Sequence, residues 1–228
     1  MDGTAPPPLD QTAPRGLIAK RRAILEAAFT VFARHGYAHA SMEEIADLAG
    51  VAKHTVYNHL GDKESVFRAA LASTASVVME ENVAVAEGLR TERCTNDEEL
   101  RACLRDVSRR LLRQCCDPRS WALRRLLYSE ITRSPDLLEV VWGRGADQLR
   151  QTLADRLARL SLVGLVRRCD PVAAAEQLLA LLTGPMEVRS QLGARHVPEE
   201  ERHAVADAAV ETFLLAYGPG RPGDARPA

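Results

Sequence analysis

Residues 41–63 read SMEEIADLAGVAKHTVYNHLGDK, and few structures accommodate that stretch. Ser41 is placed to cap a helix, and Glu44, three residues on, to complete a capping box. Ile45, Ala46 and Ala49 give this helix an apolar face. Gly50 then supplies a turn at a position where a positive φ costs a glycine little. Val51 stands just ahead of the next helix and Val56 four positions into it, a spacing that suits a hydrophobic staple. Val56 and Leu60 bury one side of that second helix, and its other sides carry Lys53, His54, Thr55, Tyr57, Asn58 and His59. Gly61 and Asp62 end it, with Asp62 placed to cap a third helix.

A helix that only has to be soluble does not need so many donors on one short surface. An α-helix fits the major groove of B-DNA, where amides, hydroxyls and cations read base edges. A helix-turn-helix puts its second helix there while neighbouring groups grip phosphates. The plainer alternative is a solvated polar helix in an ordinary bundle.

Residues 17–67 resemble the DNA-binding domain of the TetR/AcrR family of transcriptional regulators. The first family helix, "R..IL.AA..LF...G", is matched by Arg22, Ile24, Leu25, Ala27, Ala28, Phe32 and Gly36. The pattern "s...IA..AGVSKGTLY.HF..K..L" is matched by Ser41, Ile45, Ala46, Ala49, Gly50, Val51, Lys53, Thr55, Val56, Tyr57, His59, Lys63 and Val66. Four positions depart. Ala52 stands where a capping Ser is common, His54 replaces a Gly, Val56 a Leu and Leu60 a Phe. The resemblance implies that Lys53, His54, Thr55 and Asn58 face bases, with Asn58 suited to adenine and Lys53 to guanine. It also implies that Tyr57, His59 and Lys63 hold phosphates, with Ser41 doing so from the first helix of the motif. Lys63 opens a helix, where free N–H groups already attract an anion.

The formal net charge of the 228-residue chain is −1, so DNA contact has to come from a local patch. Arg15, Lys20, Arg21, Arg22, Lys53 and Lys63 supply one. Apolar residues make up 46% and aromatics only 4%, with leucine, alanine and valine dominant, which favours helices packed on helices. No apolar run is long enough to span a membrane, and the proline-rich N-terminus has no signal-peptide core, so a cytoplasmic protein without membrane contact is expected.

The remaining chain is helical wherever periodicity can be tested. Residues 1–15 and 218–228 are expected to be a disordered arm and tail, with 16–63 as the DNA-binding domain and 64–217 as a regulatory and dimerisation domain. Helices are expected from Leu17 to His35, Lys63 to Glu87, Asp97 to Cys116, Ser120 to Thr132 and Pro135 to Leu162, then Pro171 to Leu192 and Glu199 to Tyr217. Gly143 and Gly145 mark a weak point in the fifth of these, where a bend is expected, and Pro185 a kink in the sixth. The fold class is all-α with about nine helices: an N-terminal three-helix helix-turn-helix domain plus a C-terminal ligand-binding and dimerisation domain. Residues 121–186 loosely resemble the C-terminal domain of the AefR-like branch of the family, through Ala174 to Gly184.

No catalytic or metal motif appears, and neither an enzyme nor a cofactor is expected. The five cysteines, Cys94, Cys103, Cys115, Cys116 and Cys169, show no C-x-x-C pair. Adjacent Cys115 and Cys116 raise a redox role, against which inert helix thiols are the plainer reading. The resemblance implies a homodimeric repressor on pseudo-palindromic double-stranded operator DNA. The dimer is expected through helices at about 171–192 and 199–217, four helices meeting across a two-fold axis. A mostly apolar effector would sit among Val78, Met79, Leu104, Trp121, Arg125, Tyr128, Trp142 and Leu149. An activator of the same fold and a helical adaptor that binds no DNA are the alternatives.

Overall fold

A computed structural model describes residues 15–219. The N-terminal arm and all but the first residues of the C-terminal tail lie outside the described residues. Within them the chain forms nine α-helices and no strand. These are α1 (Arg15–His39), α2 (Met42–Ala49), α3 (Lys53–Leu60), α4 (Lys63–Ala86), α5 (Asp97–Cys115), α6 (Pro118–Glu130), α7 (Leu137–Leu162), α8 (Pro171–Arg189) and α9 (Glu199–Tyr217). A single 3₁₀ turn at Thr91–Arg93 lies between α4 and α5. None of the described helices is long and apolar enough to cross a membrane.

The helices fall into two compact units. Among the described residues the first comprises 15–77 together with Leu126–Val141, and the second Val78–Arg125 and 142–219.

In the first unit, α1 breaks at Gly36, whose φ of 71° and ψ of 171° only glycine adopts without strain, and one further turn runs to His39. The apolar positions of α1, Ile24, Leu25, Ala28, Phe29 and Phe32, are buried, and so is Val31. Ile45 of α2, Val56 of α3 and Val66, Phe67 and Leu71 of α4 are buried as well. Phe32 and Phe67 pack edge to face at 4.9 Å, and Tyr37 closes the cluster 4.9 Å from Phe67. Residues 126–141 join this unit through Arg68, whose Nη2 donates to Asp136 Oδ2 at 2.6 Å. Arg133 also lies 5.7 Å over the Tyr37 ring. Burial first, then the negative charge of Glu64, raises the Tyr37 phenol above its ordinary pKa.

In the second unit, α5 is well founded at its start. Asn96 Oδ1 accepts from Glu99 N at 2.9 Å, and Asp97, Glu98 and Glu99 lie at the positive end of the helix dipole. Leu100, Leu104, Val107, Leu111 and Leu112 recur at helical spacing and are buried with Leu153, Leu157, Leu178, Leu182 and Phe213 in one core. Ion pairs rim the line where α5 meets α9. Arg109 grips Asp207 with two hydrogen bonds at 3.0 and 2.6 Å, and Arg101 and Arg105 both reach Glu211. Those two guanidiniums, Arg101 foremost, hold the Glu211 carboxyl below the usual carboxylate range.

A bend is expected at Gly143 and Gly145. Instead α7 runs unbroken from Leu137 to Leu162, and Gly145 is where Met79 of α4 packs. A Cβ there would lie 2.6 Å from Met79 Cγ and 2.8 Å from its Cβ. That approach, rather than flexibility, accounts for the glycine. The sixth expected helix, α8, starts at Pro171 as predicted, capped by Asp170, whose Oδ1 accepts from Val172 N at 2.9 Å. It ends at Arg189, three residues before the expected Leu192, and Gln191, Leu192 and Gly193 then take successive left-handed conformations.

Candidate nucleic-acid interface

The helix-turn-helix is assembled by local chemistry. Ser41 Oγ accepts from the backbone N–H groups of Glu43 at 3.1 Å and Glu44 at 3.4 Å. Glu44 turns a carboxylate oxygen to His35 Nε2 at 3.0 Å, a long-range partner that the capping-box reading does not contain. Gly50 is left-handed at φ 67° and ψ 34°, and its N–H reaches the Ala46 and Asp47 carbonyls. The start of α3 at Ala52 has no side-chain cap, as the missing Ser implies. Asp62 Oδ1 accepts from Ser65 N at 2.8 Å and so starts α4.

On α3 only Val56 is fully buried. Lys53, His54, Tyr57 and Asn58 are exposed, and Thr55, His59 and Leu60 are half-buried. Four candidate base or phosphate contacts therefore stand on one solvent-facing surface. The others are tied more closely. Lys63 Nζ donates to Ala38 O at 3.0 Å and lies 5.1 Å over the Tyr37 ring, which leaves two of its three N–H groups for a phosphate. His59 offers its carbonyl to Arg21 Nη1 at 3.1 Å, so Arg21 of the basic patch also fastens α1 to α3. Lys20 is exposed, and Arg22 pairs with Glu26 at 3.0 Å.

Glu43 is the residue that sequence reasoning missed. Its carboxylate accepts from Ser41 Oγ at 3.0 Å and forms a close ion pair with Lys53 Nζ. Lys53 also lies 6.0 Å over the Tyr57 ring. The Lys53 hydrogen bond, then Glu43's own backbone N–H and the Ser41 hydroxyl, hold the Glu43 carboxyl below its ordinary pKa, and the same bond raises that of Lys53. One acidic side chain thus occupies two groups read as DNA contacts. Removing that charge frees the Lys53 ammonium and deletes a negative group beside the surface. Glu43→Gln is expected to tighten binding to non-operator DNA by up to about fivefold, since an exposed, solvent-screened ion pair holds its partners only weakly. Fluorescence anisotropy on a scrambled duplex at low salt checks this; weaker binding would give Glu43 a positioning role instead.

The residues read as an effector pocket differ in exposure. Val78, Met79, Leu104, Trp121 and Leu149 are buried, Trp142 is half-buried, and Arg125 and Tyr128 are exposed. Leu104 and Leu149 belong to the α5–α9 core, and Met79 is taken up by Gly145. Tyr128 lies in the first unit and the other seven in the second. Trp121 packs on the Gly193 backbone, and Arg125 Nη1 donates to Gly193 O at 3.3 Å. Arg124 is buried, stacked 3.9 Å over Trp121 and hydrogen-bonded to the Cys115 carbonyl.

On the outer side of α8 and α9 is a shallow apolar groove of about 420 Å³. It is lined by Gln177, Ala180, Leu181, Pro185, Thr212, Phe213, Ala216 and Tyr217. Val188 on α8 and Leu215 on α9 are 79% and 85% exposed. The groove is shaped by Tyr217, whose hydroxyl donates to Gln177 Oε1 at 2.8 Å while its ring stacks on Phe213 at 4.9 Å.

Comparison with known proteins agrees with this architecture. The family described as "Bacterial regulatory proteins, tetR family" matches residues 24–70, and "AefR-like transcriptional repressor, C-terminal domain" matches residues 102–219. A solved TetR-family transcriptional regulator from Mesorhizobium loti MAFF303099 is 32% identical, with 90% of this chain and 100% of that one covered and a TM-score of 0.80. The flavonoid-responsive regulator FrrA is 25% identical, covers 89% of this chain and 98% of its own, and has a TM-score of 0.67. The HTH-type transcriptional regulator BetI of Rhizobium meliloti (strain 1021) is 29% identical over 207 residues, 89% of this chain and 93% of that protein. A helix-turn-helix with an exposed polar recognition helix, followed by an AefR-like helical domain, places this chain in the TetR family of DNA-binding transcriptional regulators.

Proposed function

We propose that the chain is a homodimeric, ligand-responsive repressor that holds a pseudo-palindromic operator through α3 of each copy. The observation that carries this reading is the surface of α3, where Lys53, His54, Tyr57 and Asn58 all face solvent around the buried anchor Val56. Lys53, His54, Thr55 and Asn58 read bases in the major groove, and Tyr57, His59, Lys63 and Ser41 hold phosphates. Ser41 and Lys53 must first leave Glu43. Residues 16–63 act as the DNA-binding domain and 64–217 as the regulatory domain, in the cytoplasm, where the operator is.

The test is a titration of promoter DNA at two salt concentrations. Specific binding with a steep salt dependence supports the reading, and binding without salt dependence rejects it. Lys63→Ala should weaken binding to every sequence and lower the salt slope by about one unit. A loss confined to one operator would reject the phosphate role.

The dimer interface is the apolar face of α8 and α9. The effector is mostly apolar and binds within the second unit beside Trp121 and Trp142. The flavonoid-responsive relative favours a planar aromatic ligand. Release of the operator needs a preference of about 5.5 kcal/mol for the released state, since that is what inverts a 1:99 population. Titration with a panel of flavonoid-like and lipophilic compounds should quench tryptophan emission at the concentrations that release DNA. A compound that releases DNA with unchanged emission would place the pocket away from both tryptophans.

A further inference from the structure

The ring of Tyr37 carries two cations that come from distant stretches of the chain. Lys63, the first residue of α4, has its Nζ 5.1 Å from the ring centroid, and Arg133, in the turn between α6 and α7, has its guanidinium carbon 5.7 Å from it. Both distances fall within the roughly 6 Å over which a ring face attracts a cation. The ring itself packs on Phe67 at 4.9 Å and on Phe32 at 6.2 Å, so the core of the helix-turn-helix unit fixes its plane. Lys63 Nζ also donates to the carbonyl of Ala38 at 3.0 Å. Two adjacent residues, one through its ring and one through its backbone, therefore settle where that ammonium lies. The turn that carries Arg133 is tied to α4 by Arg68, whose Nη2 reaches Asp136 at 2.6 Å and whose Nε reaches Glu64 at 3.4 Å. The cleft among these groups, lined chiefly by Tyr37, Glu64, Arg68, Glu130, Arg133 and Ser134, measures about 20 Å³. That is room for a water and not for a ligand, so its charged lining serves as a clasp.

We propose that Tyr37 is a positioning residue for DNA binding: its ring holds the Lys63 ammonium ready for a backbone phosphate, and Arg133 steadies that ring from the α6–α7 turn. Neither Tyr37 nor Arg133 touches DNA. A lysine on a flexible four-carbon stem gives up rotamer freedom when it grips a phosphate. A ring and a carbonyl that already hold the ammonium meet part of that cost before DNA arrives, which is what preorganisation supplies. The inference rests on the phosphate role of Lys63 proposed above, and the variants below separate the two.

Each full-length variant is titrated against a mixed-sequence duplex by fluorescence anisotropy at two salt concentrations, with thermal melting as the control for folding. Tyr37→Phe keeps the ring and should bind as the wild type does. Tyr37→Leu removes the ring and should weaken binding about fivefold, no more than Lys63→Ala does, with little further loss when the two are combined. Arg133→Ala acts only through the ring and should cost about two- to threefold. Its salt slope should stay unchanged, because no phosphate contact is removed. That loss should vanish in a Lys63→Ala background. Arg133 is exposed, so its replacement spares the fold and the comparison of backgrounds stands even if Tyr37→Leu does not fold. A salt slope lowered by about one unit in Arg133→Ala would make Arg133 a phosphate contact and overturn the proposal. An equal loss with and without Lys63, or no loss at all, would overturn it too. If Lys63→Ala binds as tightly as the wild type, the phosphate role fails and this inference with it. A loss in Lys63→Ala that is independent of Tyr37 and Arg133 removes this inference alone.

Discussion

Leu215→Glu is expected to turn the protein into a monomer and to abolish operator binding while leaving the fold intact. Leu215 is 85% exposed on α9, so its replacement removes nothing from the core of its own chain. The neighbouring residues Val210, Phe213 and Tyr217 are the ones that pack inward, against α5 and α8. In the proposed dimer each leucine is covered, and two-fold symmetry counts every change twice. Burying a leucine is worth about 1.5–3 kcal/mol, so the pair loses ~3 kcal/mol or more before the facing carboxylates are considered. That weakens dimerisation by roughly a hundredfold or more. A lone copy presents a single recognition helix, and the second half-site no longer adds its share. Sedimentation velocity and operator titration at micromolar protein measure both effects. A variant that remains a dimer would remove α9 from the interface, and Val188→Glu would then separate α8 from the same face.

The parts of the fold that were legible are those set by local chemistry. The Ser41 and Asp62 caps, the Gly50 turn and the α1 stripe of Ile24, Ala28 and Phe32 each depend on residues within a few positions of one another. The structure realises all of them. The periodic leucines of α5 are equally plain because a helix that buries one face repeats its apolar positions. What escaped was set by approach in space. Glu44 matched a capping box by spacing, but His35, nine residues away, takes its carboxylate. The hold of Glu43 on Lys53 spans α2 and α3 and depends on how those helices cross. Gly145 and Met79 are 66 positions apart in sequence, so a close contact looked like a weak helix. The Arg68–Asp136 bond, which brings residues 126–141 into the first unit, has no local signature either. In the candidate site, the exposed residues of α3 were readable from the register of Val56. Which of them already had partners was not.

Asn58→Ala should cost operator affinity about 10- to 100-fold and leave non-operator binding nearly unchanged. Asn58 is exposed on α3, and its amide presents a donor and an acceptor that match the N6 and N7 edge of adenine. A bidentate contact of this kind discriminates by about 1–3 kcal/mol, which sets the expected range. Alanine is the better helix former, so the substitution does not weaken α3, whose start already lacks a side-chain cap. Lys63→Ala offers the contrast. Lys63 sits at the start of α4 over Tyr37, and as a phosphate contact its loss should be felt on every sequence and in the salt slope. His54→Gly should move the preferred site while leaving non-operator affinity nearly unchanged. The three variants, bound to operator and scrambled duplexes at two salt concentrations, separate base reading from phosphate contact. Equal losses on both duplexes for Asn58→Ala would remove Asn58 from the base-reading set. An unchanged selected site for His54→Gly would do the same for His54.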